Sequence, residues 1–332
     1  MYVKRNVSPS IIYYLSWRTV LFSFILSTFV FILYECFGWR AIAIPFLPIA
    51  TIGTAVAFYV GFKNNSSYDR LWEARKIWGE IVNLSRSIAS YLLAVIKNRQ
   101  DETTKTLTQK FIYRQIAYAN MIRLQLRKRN VWDETHLYTQ LASQCFPCKT
   151  FEQDAIDVVN ALCCTEEVEG LLSKQNIAKE LVYLQMRDLT KFRESNLIES
   201  YEHSDLMKMC NELYTQQGKS ERIKLFPFPR QYAYFSEIFV RIFICLLPFG
   251  LIAEFAKINE GLAWLTIPFS MLISWIFDTM EQIGDTSENP FENGVNDVPM
   301  TAICRTIERD LRELLGETKL PEPIQSVEGI LM

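Results

Sequence analysis

Four apolar runs stand out against an otherwise charged chain. They cover about residues 19–37, 41–62, 236–255 and 261–277. Each is within or just under the roughly 17–25 residues that a helix needs to cross a hydrocarbon core of about 30 Å. The first is broken only by Glu35 near its end, and the second carries no charged side chain. The third holds Arg241 early and Pro248 in its middle. Only Gly38, Trp39 and Arg40 separate the first pair, and residues 256–260 the second, so the pattern predicts two helical hairpins with short outer turns. Arg241 is costly if exposed to lipid, and Glu237 at i−4 is its expected partner.

Between the hairpins lies a polar region that is too long to be a loop. It is patterned as helix: Leu71, Ile77, Ile81, Leu84, Ile88 and Leu92 recur at three- and four-residue spacings, as do Ile112, Ile116, Ala119, Ile122 and Leu126. Pro and Gly are nearly absent between Gly79 and Pro147. Pro227 and Pro229 then break the helix before the third run. After the fourth run, Asn289-Pro290 and Asn293-Gly294 signal turns. Asp297 or Pro299 leads into an amphipathic helix with Ile303, Ile307, Leu311, Leu314 and Leu315 on one face. The stretch from Thr318 is expected to be poorly ordered. The fold class is therefore all-α, with four transmembrane helices plus a large cytosolic helical bundle. The expected division is 1–62, 63–235, 236–280 and 281–332.

Charge sets the orientation. The outer turns hold only Arg40 and Lys257, whereas Lys4, Arg5 and Arg18 precede the first run and Lys63, Arg70, Arg75, Lys76 and Arg86 follow the second. By the positive-inside rule both termini and the middle region face the cytoplasm of a cell membrane, the inner membrane if the source is a Gram-negative bacterium. A net charge of −2 gives no reason to expect a nucleic-acid partner. No small-residue cleavage site follows the first run, which reads as a retained span. Eight scattered cysteines imply no disulfide framework.

Catalytic patterns are lacking. The two histidines, His136 and His203, are isolated in charged helical surroundings, and there is no Gly-rich phosphate loop. Cys145, Cys148, Cys163 and Cys164 supply four thiols, but adjacent cysteines serve one zinc ion poorly. No metal, no cofactor and no enzyme activity are expected. The acids Asp278, Glu281, Asp285, Glu288, Glu292 and Asp297 crowd one region without EF-hand spacing, and read as a solvated linker with helix-capping acids.

In the second run, Thr54, Phe58 and Phe62 fall at i, i+4 and i+8, one stripe of a helix. Gly53, Ala55, Ala57 and Gly61 lie on neighbouring faces and permit close helix approach. The stripe has two readings. It packs against another helix, or, repeated around a symmetry axis, it lines a narrow tube of phenyl edges that can face an anion and gate by dewetting.

Four passages carry a family resemblance. Residues 61–79, GFKNNSSYDRLWEARKIWG, are similar to the bestrophin pattern GFRxNxxYxRWWEARxLWG. Glu221-Arg222-Ile223 with Pro227-Phe228-Pro229, Leu246-Leu247-Pro248-Phe249, and Glu288-Asn289-Pro290-Phe291 with Asn296-Asp297-Val298-Pro299 match the others in order and spacing. The chain thus resembles the bestrophins over nearly its whole length, in particular the bacterial members. The resemblance implies a homopentamer in the lipid bilayer that passes inorganic ions through a narrow hydrophobic neck on the second span. It places the neck on Thr54, Phe58 and Phe62, with Thr54 where the family has an aliphatic or aromatic residue. It puts a cytosolic constriction near Ile198 and Tyr201. Lys63, just below Phe62, would form a positive ring at the inner mouth if it points inward, which tilts the expectation towards anions over monovalent cations. Animal bestrophins hold calcium on an acidic run after the NPFG turn. Here only Asp297 keeps a carboxylate at a matching position, so calcium gating is not expected. The rival readings are a secondary transporter, which the uncharged second run disfavours, and a membrane-anchored scaffold or sensor without flux.

Overall fold

The computed structural model describes residues 1–4, 6, 9–128 and 150–332. Ten α-helices follow among them: α1 Pro9–Glu35, α2 Phe46–Val95, α3 Glu102–Leu126, α4 Phe151–Leu162, α5 Thr165–Leu172, α6 Ile177–Glu194, α7 Ser200–Leu225, α8 Arg230–Ile258, α9 Thr266–Glu288 and α10 Met300–Leu314. Short 3-10 turns, Arg40–Ile42 and Glu260–Leu265, stand where the two outer turns are expected. Among the described residues there is no β-strand, only isolated bridges joining Tyr2 and Val327 to Ile330. The chain divides into two compact units. One comprises Lys4–Arg70 and Pro227–Asn289, the other Met1–Val3, Leu71–Phe226 and Pro290–Met332.

The first unit holds the apolar helices α1, α8 and α9 and the N-terminal half of α2. Four helices are long and apolar enough to cross a membrane. Their inward faces build a small core in which Ile49, Val56 and Val60 of α2 meet Val240, Phe243, Ile244 and Leu247 of α8. Phe277 of α9 closes it, its ring centroid 4.5 Å from that of Phe243. Glycine is needed at two helix contacts. A Cβ on Gly53 would sit 2.6 Å from the Phe243 ring, and one on Gly250 would sit 2.6 Å from Ile49 Cδ1. Small residues at such crossings let apolar helices approach without a hydrophobic driving force between them. Polar pairs bind α1 to α9: Ser23 Oγ donates to Ser274 Oγ at 3.1 Å, and Trp275 Nε1 donates to Ser16 Oγ at 2.9 Å. Phe22, Ile25 and Phe29 of α1 remain exposed, as suits a lipid-facing surface. Arg241 pairs with Glu237, as its i−4 position led one to expect.

The second unit is a helical bundle around one apolar core. Four of its described helices are capped at their starts. Asp101 accepts from Thr104 N, Thr150 from Gln153 N and Asn176 from Lys179 N, while Glu199 and Glu202 form a reciprocal box at α7. Ile77, Trp78, Ile81, Ile88 and Leu92 of α2 share one core with Phe111, Ile112 and Ile116 of α3, Leu181 and Leu189 of α6, and Ile307 and Leu311 of α10. The periodic residues that pattern reading picks out on α3 are all buried.

That core also contains a charge cluster. Arg114, 1% exposed, donates to Glu167 through Nε and Nη2 at 3.1 and 2.5 Å and to Asp188 through Nη1. Lys110 adds a contact to Glu167 at 2.9 Å. Burial alone would push the Glu167 carboxyl up, but the hydrogen bonds and charges of Arg114 and Lys110 hold it below its ordinary 4.5.

The C-terminal stretch departs from expectation. Ile330 and Met332 are buried, Ala302 N donates to Met332 O at 2.7 Å, and Leu331 N donates to Met1 O at 2.8 Å. Backbone pairing with Met1–Val3 and docking against α10 give this segment partners that no periodicity announces.

Candidate functional site: the outward stripe and ion-paired back of helix α2

Helix α2 has two unlike faces in its first half. Gly53, Val56, Val60, Lys63 and Ser67, spaced three and four apart, are buried. Thr54, Phe58 and Phe62 lie on another face and are exposed, Phe58 by 67% and Phe62 by 65%. Thr54 spends its hydroxyl proton on Ala50 O at 2.9 Å, so the stripe offers phenyl edges, a methyl group and hydroxyl lone pairs. Tyr59, between the faces, stacks on Tyr232 at 4.5 Å and donates to Tyr232 O at 3.3 Å.

Lys63 corrects an expectation. It is fully buried, and its ammonium donates to Glu281 Oε1 at 2.5 Å and to Asp285 on α9. Glu281 turns its second oxygen to Ser236 Oγ of α8 at 2.6 Å. Three helices are thus tied by one buried network, and no free cation is left at this position to form a positive ring. The cause is the spacing: Lys63 falls on the buried face with Val60 and Ser67, not on the stripe of Phe62. The acids of α9 are accordingly not a solvated linker, since Glu281 and Glu288 are both buried.

The neighbouring motif residues lock the same seam. Asn64 Nδ2 donates to Met280 O at 2.9 Å, and its Oδ1 lies where a Cβ on Gly284 would be 2.2 Å away, so a larger residue there would have to displace the Asn64 amide. Arg70 Nε donates to Glu288 O at 2.8 Å, meeting a carbonyl that the end of α9 leaves free. Further along, Glu73 pairs with Arg222 at 2.8 Å and Trp78 is buried, whereas Tyr68 and Trp72 are exposed. Gly53 serves the contact with Phe243, while Gly61 has nothing within 4 Å of a Cβ.

Of the two residues placed at a cytosolic constriction, Tyr201 is 66% exposed, but Ile198 is 2% exposed and belongs to the bundle core. Ile198 is therefore not available to line a passage. Its side chain precedes the start of α7 and packs inward, whereas Tyr201 sits in the first, outward turn. His203 is 3.5 Å from Thr190 Oγ1. Cys145, Cys148 and His136 lie outside the described residues. Cys163 is pushed up to about 12 by burial, which keeps it a thiol.

The turn after α9 is organised by Asp297, a residue that motif reading flagged only as a remnant acid. It is 6% exposed, and its carboxylate accepts Phe291 N at 2.9 Å, Val298 N at 2.6 Å and Asn293 N at 2.8 Å. Phe291 and Asn293 take positive φ, 78° and 67°, a conformation such bonds must hold in place. Burial raises the Asp297 carboxyl, with the three backbone donors pulling the other way. Both oxygens are thus committed to N–H groups. Among the described residues, no three His, Cys, Asp or Glu side chains are grouped to hold a metal ion.

A stripe of exposed phenyl rings on a spanning helix, backed by a buried ion network and continued without a break into the helical bundle, defines an integral membrane protein of distinctive build. A sequence model described as bacterial and fungal bestrophin protein matches residues 3–313, and the chain belongs to the bestrophin family. It is 27% identical to the voltage-dependent anion channel-forming protein YneE of Escherichia coli K12 over 305 residues, which is 92% of this chain and 88% of that one. It is 28% identical over 273 residues to a voltage-dependent anion channel-forming protein of Ralstonia nicotianae, 82% of this chain and 78% of the other. Among solved structures, a bacterial bestrophin homologue from Klebsiella pneumoniae superposes with a TM-score of 0.74 at 23% identity, covering 91% of this chain and 98% of that chain.

Proposed function

We propose that the chain is one subunit of a homopentameric anion channel whose neck is lined by Thr54, Phe58 and Phe62. The observation that carries this reading is the exposure of two phenyl rings one turn apart on a spanning helix whose buried residues, Gly53, Val56 and Val60, lie on another face. The packed face meets its neighbours within the subunit and leaves the phenyl stripe available to a symmetry axis. Five copies place rings of phenyl edges around a path, and such edges carry positive partial charge towards a passing anion. The names of the Escherichia and Ralstonia relatives favour anions over monovalent cations. Lys63 no longer contributes to that preference. Thr54 makes the outer ring wider and wetter than the two phenyl rings below it. Tyr201, without Ile198, remains the candidate for a second, cytosolic constriction.

The orientation follows the distribution of Lys and Arg, with both termini cytoplasmic in a cell membrane. Asp297 acts as a turn clamp, so opening does not require calcium. The test is recording of purified protein in planar bilayers under a salt gradient. Wild type is expected to reverse near the chloride equilibrium potential, and Phe58→Ala and Phe62→Ala to alter conductance or gating. Unchanged currents in both variants would remove the neck assignment, and reversal near the cation potential would remove the selectivity. Native mass spectrometry of the same sample should give five chains per particle.

A further inference from the structure

The second unit contains a cleft of about 310 Å³ that no part of the conduction reading uses. Three pieces of chain converge on it: the C-terminal end of α2, the first two turns of α3 and the turn after α10. Its apolar wall is Leu93 and Leu315, and its polar wall is Arg99, Gln100, Thr108 and Gln109. Asn98, at φ 53°, reverses the chain between α2 and α3. This brings Arg99 back over the end of α2, where Nη1 donates to Leu93 O at 3.3 Å.

The charges at this cleft do not cancel. Glu317, which also lines it, is already held by Arg312 Nε and by the Tyr113 hydroxyl, each at 2.7 Å. Lys105 at the rim is paired with Glu102 at 2.6 Å. Among the described residues no carboxylate pairs with Arg99. Arg99, with no counter-charge among the described residues, therefore lines a concavity with an apolar wall and two amide side chains. The Thr108 hydroxyl donates to Thr104 O at 2.7 Å and so offers only lone pairs. A guanidinium fork recognises a carboxylate through two parallel hydrogen bonds, and apolar walls take the body that such a group carries.

We propose that this cleft binds a small organic carboxylate, with its anionic end on Arg99 and its apolar body against Leu93 and Leu315. Inorganic anions lack the apolar part, and neutral amides lack the charge. The cleft residues belong to the second unit, and Thr54, Phe58 and Phe62 to the first.

The test uses full-length protein in detergent, titrated calorimetrically with benzoate and with the neutral isostere benzamide. Benzoate is expected to bind saturably, one per chain, and benzamide at least about tenfold more weakly. Arg99→Met should reduce benzoate affinity by about tenfold or more. Gln109→Trp, which fills the cleft from a surface position, should abolish binding. Phe58→Ala should leave it unchanged, which separates the cleft from any benzoate held in the neck. No saturable binding, equal affinity for the two probes, or undiminished affinity in Arg99→Met would each overturn the proposal. Unliganded thermal unfolding of both cleft variants checks that they are folded.

Discussion

Lys63 shows how a single residue changes meaning with its face of the helix. Beside Phe62 in sequence, it is turned about a hundred degrees away in space. A buried ammonium between two carboxylates is strongly needed once the acids are there, because removing one partner leaves uncompensated buried charge. Lys63→Met is expected to lower stability by about 3–5 kcal/mol. Adding Glu281→Gln and Asp285→Asn to it should recover part of the loss, and thermal unfolding in detergent reads both. Equal melting of wild type and the single variant would mean that the network contributes nothing. Asp297 has the same all-or-none character. Asp297→Ala leaves the Phe291, Asn293 and Val298 N–H groups without acceptors and should cost more than the roughly 1–3 kcal/mol of one unmade buried hydrogen bond. Amide exchange at residues 291–298 should accelerate in that variant.

At the scale of elements, most of the architecture was legible. The apolar runs marked α1, α2, α8 and α9, and the three- and four-residue spacings marked the buried faces of α2 and α3, because a helix must turn one stripe inward. What pattern could not show was which polar residues go inside. Arg114 reads as a surface charge, yet it joins α3 to α5 and α6 through Glu167 and Asp188. This cluster gives a pH dependence of definite sign. Glu167 is held below 4.5 in the folded protein, so the unfolded chain binds its proton first as pH falls. Its stabilising contribution is present above about pH 4.5 and is lost as pH drops through the folded value. Stability of wild type should fall more steeply on acidification than that of Glu167→Gln, and an identical slope in the two would contradict the assignment. His203 adds to the same trend from a higher pH. Burial and Arg193 hold it below its ordinary 6.5, so stability declines as pH falls below that value.

At the scale of the whole molecule, α2 is the decisive element. Its 50 residues run from the membrane-compatible half into the helical bundle with no proline after Pro48, and the helix continues unbroken through Gly53, Gly61 and Gly79. The chain termini are part of the fold as well. Val3 N donates to Gly329 O at 2.8 Å and Met332 is buried, so the last residues close the bundle rather than trailing from it. Truncation after residue 325 is expected to lower the unfolding temperature measurably without removing helical circular dichroism. An unaltered melting curve would show that these contacts are not stabilising.

The sequence by itself determined the class: four spanning runs, a long helical soluble region, a family pattern over residues 61–79, and the stripe of Thr54, Phe58 and Phe62. The spanning runs, the helical region and the stripe follow from period and composition, which are local properties of a chain, and the family pattern from resemblance to a known motif. Only the tertiary structure decided that Lys63 is a buried counter-ion, that Ile198 is core, that Asp297 clamps a turn, and that Arg99 overlooks a cleft without a carboxylate partner. Each of those depends on which side chain from a distant part of the chain arrives opposite. Spacing marks a helix face, but which partner meets a charge buried on that face is set by such distant neighbours.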